Sequence, residues 1–98
     1  MVAIRQTDEF SGWLHALRDS RGRAKILVKI DRLAAGNPGD AQSVGDKVSE
    51  LRINYGPGYR IYFTQRGAEL ILLLWGGDKS TQAKDIAKAK RLAAEYRE

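Results

Sequence analysis

At 98 residues, with 17 Lys and Arg against 12 Asp and Glu, a formal net charge of +5 and no cysteine, the chain is sized for a single domain that folds without disulfides or cysteine-ligated zinc. The positive excess favours a polyanionic partner, nucleic acid or an acidic protein, though many basic domains of this size carry such charge only for solubility. The first six residues are too short and polar for a secretory h-region, and the longest apolar run, residues 70–75, cannot span a bilayer, so a soluble cytoplasmic protein with no membrane role is expected.

Residues 2–6 alternate and read as a strand ending at Thr7. Thr7-Asp8 then offers an N-cap for a helix whose apolar positions Phe10, Trp13, Leu14 and Leu17 recur at i, i+3, i+4 and i+7 and face a sheet. Gly12 weakens that helix by up to ~1 kcal/mol relative to alanine. His15, the only histidine, lies off the stripe with nothing near it in sequence to tune it, and reads as a surface residue rather than a general base. Asp19-Ser20 caps a second helix running to about Ala35, with Ala24, Leu27, Ile30, Leu33 and Ala34 as its apolar side, so the two helices form a hairpin. Arg21, Lys25, Lys29 and Arg32 fall within a sector of about 80° on it. That basic stripe is either a solvated face or a surface that tracks phosphates or docks a partner.

Residues 36–46, GNPGDAQSVGD, are dense in turn-formers and read as the loop leading into the sheet, with Gly36 stopping the second helix and Pro38 preventing its resumption. Residues 48–55 and 59–65 are rich in β-branched and aromatic side chains and flank Gly56-Pro57-Gly58, which makes a hairpin. A third run, residues 69–75, follows Arg66-Gly67 and extends the hairpin to an antiparallel meander. Alternation puts Leu51, Ile53 and Tyr55 on one face with Tyr59, Ile61 and Phe63, and leaves Glu50, Arg52, Asn54, Arg60, Tyr62 and Thr64 opposite. The turn GGDKST leads to a last helix over about residues 81–96, with Ala83, Ile86, Ala89, Ala93 and Tyr96 as its inner stripe and Lys84, Lys88 and Arg91 on a separate basic line. The turn lacks the P-loop spacing, which argues against nucleotide hydrolysis, but glycines before a helix start beside Lys79 could receive a single phosphate.

The predicted order is therefore β-α-α-β-β-β-α, an α+β domain with a mainly antiparallel sheet packed by helices. In it Arg52, Arg60 and Lys79 come from adjacent strands and the following turn and could converge on one side of the sheet. Only Glu50 shares that face in the first meander strand, so the arginines are expected to be exposed to an anion, for which the planar guanidinium fork is suited.

The segment VGDKVSELRINYGPGYRIYFTQRGAELILLLWGGDKSTQAKDIAKAKRLA, with ELR on one strand, GPGYR-[IV]-Y on the next and LL-x-GG-D-K-S-x-Q before the last helix, resembles the RelE/ParE toxin superfamily, most closely its HigB-like addiction-module killer proteins. LAAGNPGDAQSVGD fits the same group. The resemblance implies a RelE-like fold and a toxin of a type II toxin-antitoxin module. Its partners would be a cognate antitoxin, often a helix-turn-helix DNA-binding protein from the same operon, the ribosome and mRNA, with operator DNA reached only through the antitoxin. It further implies that Arg52 and Arg60 contact or stabilise the scissile phosphate and Lys79 assists, in cleavage by the RNA's own 2′-hydroxyl that needs no metal or other cofactor. Lys25, Lys29, Arg32, Tyr62 and Lys84 would contact RNA. For proton transfer the residues left are Asp78, Tyr62 and Tyr96. The alternative within the resemblance is a non-enzymatic, ParE-like inhibitor of DNA gyrase.

Overall fold

The computed structural model describes residues 2–96. Eight principal elements follow one another: β1 (Ala3–Gln6), α1 (Asp8–Ala16), α2 (Ser20–Ala34), β2 (Ala41–Gly45), β3 (Val48–Arg52), β4 (Arg60–Arg66), β5 (Leu70–Gly77) and, after a 3-10 turn at Lys79–Thr81, α3 (Gln82–Glu95). The strands form one sheet in the order β1-β5-β4-β3-β2, antiparallel throughout except that β1 runs parallel to β5. The α+β class, the largely antiparallel sheet and its helical cover are as expected; the sheet has five strands rather than four.

Both predicted helix caps are present. Thr7 accepts a hydrogen bond from Phe10 N and donates its own hydroxyl to Leu74 O, which ties the start of α1 to β5. Asp19 accepts from Gly22 N at 2.9 Å and caps α2. α1 and α2 cover one sheet face, where Phe10, Ile26 and Leu33 pack with Leu51, Ile53, Tyr59, Ile61, Phe63, Ile71 and Leu73. α3 covers the other, where Ala89 and Leu92 meet Val48, Tyr62, Leu72 and Leu74. Arg23 joins the two front helices by donating to the carbonyls of Leu14 and Leu17 at the end of α1. Among the described residues no helix is long and apolar enough to cross a membrane.

Four expectations are corrected. Residues 36–46 are not all loop, because β2 pairs antiparallel with β3, Ala41 opposite Leu51 and Gly45 opposite Val48. The two residues between them, Asp46 and Lys47, both have positive φ, 54° and 64°, the geometry of a two-residue hairpin whose twist matches its strands. On α2 the inward residues are Gly22, Ile26 and Leu33, whereas Leu27 is 45% exposed. On α3 the expected Ile86, Ala89, Ala93 and Tyr96 do pack on the sheet, but the buried row is Asp85, Ala89 and Leu92, and Ala83 is exposed. The meander strand β3 also stops at Arg52, since Ile53 N already bonds Tyr59 O across a wide turn in which Gly56 and Gly58 have positive φ.

Candidate phosphate-directed site

The site is assembled at the end of the sheet where β3 finishes, β4 begins and β5 finishes. Register puts Arg52 opposite Arg60 and Arg60 opposite Gly77, in one row across three strands. Two pairs inward, on the same face, Glu50 lies opposite Tyr62. Alternation sends all four side chains, Glu50, Arg52, Arg60 and Tyr62, to the face covered by α3.

Glu50 is the centre of this square. It is 1% exposed, and a buried carboxylate has to be paired or hydrogen-bonded to be tolerated. Its Oε1 accepts from Arg52 Nε at 3.0 Å and lies 4.0 Å from a terminal nitrogen of Arg60; its Oε2 accepts from the Gln82 side-chain amide at 2.6 Å. The two guanidiniums differ in access: the Arg52 side chain is 41% exposed and the Arg60 side chain 10%. The expectation of unpaired arginines is thereby corrected, since both share Glu50. Two guanidiniums against one carboxylate still leave a net positive charge, and the accessible part of it is on Arg52.

Tyr62 is fully buried, and neither its hydroxyl nor Arg60 Nε has a hydrogen-bond partner among the described residues. Burial, reinforced by the charges of Glu50 and Asp85, pushes the Tyr62 phenol well above the ordinary tyrosine value. The group is thus a neutral, enclosed phenol, not a surface contact for RNA as expected from the sequence.

The turn after β5 is built as a corner. Asp78 accepts from Ser80 N at 2.8 Å and caps the 3-10 turn through one of its two carboxylate oxygens. Lys79 is exposed and forms no ion pair among the described residues. Its backbone N–H donates to Pro57 O, so it stands beside the β3–β4 turn, at the same end of the sheet as the arginine row. Asp85, on the first turn of α3, is 6% exposed and accepts from Trp75 Nε1 at 2.9 Å and from the Thr81 hydroxyl. The Lys88 ammonium stands 3.5 Å above the Trp75 ring, a cation–π contact.

The remaining expected residues lie elsewhere. Lys25, Lys29 and Arg32 are on α2, across the sheet from Arg60 and Tyr62, along a shallow groove with Ala24, Val28, Ile53 and Asn54; Lys25 sits 5.1 Å above the Tyr55 ring. Lys84 is exposed on the first turn of α3. Tyr96 is at the opposite end of β4, under Arg66, whose guanidinium caps the α3 carbonyls of Ala93 and Tyr96. His15 is exposed, 3.4 Å from Ser11 Oγ. Among the described residues no group of three or more His, Asp or Glu side chains is arranged to hold a metal ion. What sequence reasoning missed is the anchoring layer, Gln82, Thr81, Asp85 and Trp75. Its one visible signal is the inward spacing Asp85, Ala89, Leu92, which puts an acid on a buried helix row.

Residues 12–97 match the family model described as Phage derived protein Gp49-like (DUF891). An uncharacterized protein of Haemophilus influenzae is 50% identical over 94 residues, which span 96% of this chain and 95% of that protein. The matched family is a different one from the RelE/ParE, HigB-like group that the strand and turn motifs resemble, and the assignment drawn from those motifs is corrected accordingly.

Proposed function

The chain belongs to the Gp49-like family of phage-derived proteins, and for this member we propose a toxin that cleaves messenger RNA at the ribosome in the cytoplasm. One observation carries the proposal: the cross-strand row Arg52, Arg60, Gly77, leading into exposed Lys79 at the same end of the sheet. A phosphodiester laid there meets an accessible guanidinium and an ammonium above a buried second guanidinium, which suits phosphate better than any neutral ligand.

The chemistry such a site can support needs little from the protein. The RNA's 2′-hydroxyl gives up its proton to water as its oxygen attacks the adjacent phosphorus. The bond to the 5′-oxygen breaks and that oxygen takes a proton from water, leaving a 2′,3′-cyclic phosphate and a 5′-hydroxyl, while the negative charge that builds on the phosphorane oxygens is met by fixed cations. Arg52 and Lys79 are the contact residues in this reading. Arg60, being almost enclosed, contributes its charge from beneath, 4.0 Å from Glu50 Oε1. Because indiscriminate loss of message stops growth, the toxin needs a neutralising antitoxin made with it, the partner through which operator DNA would be reached.

The test is induction of the protein under tight control, with mapping of RNA 5′ ends by primer extension in a translating extract. New 5′ ends that depend on ribosomes, absent with Arg52→Ala, are the expected result. Message intact with and without ribosomes overturns the proposal, and inhibition of gyrase supercoiling alongside intact message would replace it.

A further inference from the structure

Two features of the site have no role in phosphate contact. Glu50 lies beneath the arginines and subtracts from their charge, and Gln82 reaches from the first residue of α3 to hold it. A carboxylate that weakens an anion site has to contribute geometry to be useful there. Glu50 Oε2 is occupied by the Gln82 amide at 2.6 Å, and Oε1 by Arg52 Nε at 3.0 Å. The carboxylate cannot rotate without losing one of these. Among the described residues Arg52 makes no other hydrogen bond, so its two terminal nitrogens, the paired edge that grips a phosphate, stay unengaged. Gln82 also follows the 3-10 turn that carries Lys79, so the bond from Gln82 to β3 sets the spacing between the Lys79 corner and Arg52.

From this arrangement we infer that Gln82 and Glu50 are positioning residues: the Gln82 amide locks the Glu50 carboxylate, which holds Arg52 with its free edge toward the RNA phosphate. The inference rests on the RNA-cleaving reading above and adds to it residues that touch no substrate. Glu50 itself is a poor probe, since its removal strands the buried Arg60 charge. Gln82 is half-buried at a helix start, and Gln82→Ala leaves the core intact.

The experiment compares wild type, Gln82→Ala, Gln82→Lys and Arg52→Ala by three measurements. These are the Arg52 Nε–H signal by NMR, binding of a single-stranded RNA made uncleavable by a 2′-deoxy substitution, and cleavage kinetics. Gln82→Ala should stay folded but melt somewhat below wild type, because Glu50 Oε2 loses its hydrogen bond, broaden or shift the Arg52 Nε–H signal, and lower kcat by about 10² with KM little changed, as expected for a misplaced contact group. Gln82→Lys, which restores a donor to Glu50, should recover most of the rate and the signal. A fully active Gln82→Ala beside an inactive Arg52→Ala overturns the inference and leaves the function standing. Full cleavage by Arg52→Ala overturns both. If wild type cleaves no RNA, the function falls, and Gln82→Ala with an unchanged Arg52 signal and unchanged oligonucleotide binding then removes the inference as well.

Discussion

Two glycines on neighbouring helices show how the same residue can be a weakness or a necessity. Gly12 in α1 has nothing within 4 Å of where a Cβ would stand, so Gly12→Ala should stabilise the protein by roughly 0.5–1 kcal/mol through helix propensity alone, read as a raised denaturant midpoint. At Gly22 in α2 the same Cβ would stand 2.6 Å from the Tyr59 ring and 2.8 Å from Asp19 Oδ2. Overpacking there costs about 1–3 kcal/mol, more than the propensity gain, so Gly22→Ala should lower the midpoint. The reason for the crowding is the cap itself. Asp19 accepts from Gly22 N and from the Tyr59 hydroxyl at 2.8 Å, and these bonds, the Gly22 bond first, hold its carboxyl below the ordinary value of 3.8. A depressed folded-state pKa means stability that is present above the unfolded value and lost as pH falls through the folded one. Wild type should therefore lose more stability on acidification below about pH 4 than Asp19→Asn, in paired melts across that range. At the alkaline end the sign reverses. Burial, with the bond to Asp19, pushes Tyr59 to about 12, and Tyr62 is raised further. Both contribute stability that is lost as pH climbs past the ordinary value of 10 toward their folded values. Of the four tyrosines, these two should form phenolate only as the protein unfolds, which a spectrophotometric titration in native and denaturing buffer would show.

At the scale of elements, the corner between β5 and α3 depends on close backbone approach. A Cβ on Gly77 would fall 1.9 Å from Asp85 Oδ2, and Asp85 is the residue that orients Trp75 and Thr81. Gly77→Ala should thus displace the start of α3, cost about 1–3 kcal/mol, and shift the Trp75 fluorescence; an unchanged melt and spectrum would show that the corner yields freely. This corner also marks how far the sequence could be read. The caps at Thr7 and Asp19 and the meander turns were legible because their chemistry is local, carried by residues within three or four positions of one another. β2 was not, because a strand of Ala, Gln, Ser, Val and Gly is a strand only when β3 lies beside it. The inward face of α2 was misassigned because Ile26 and Leu27 are equally apolar and only the sheet decides between them. Arg52, Arg60 and Lys79 were legible as a group from alternation and turn position, but their pairing to Glu50 was not, since Gln82 reaches that carboxylate from 32 positions away.

For the molecule as a whole, which carries a net charge of +5, two basic surfaces predict different things. Lys25, Lys29 and Arg32 on α2 lie across the sheet from the row that ends in Arg52, beside the exposed side chains Leu27 and Val28. A general attraction for polyanions would draw on both surfaces equally, whereas a built phosphate site draws on one. Salt dependence separates these. For a single strand, log K falls against log salt with a slope of about −0.7 for each phosphate neutralised. Arg52→Ala and Lys79→Ala should each make that slope shallower by about 0.7. Lys25→Ala and Lys29→Ala should leave it near the wild-type value. Arg60→Lys tests the buried layer: it keeps the charge but gives up the guanidinium whose terminal nitrogen lies 4.0 Å from Glu50 Oε1, so it should alter cleavage more than the salt slope. Equal losses of slope from both sides of the sheet would mean that RNA is held by diffuse charge alone, and the arginine row would then have no special claim on the phosphate.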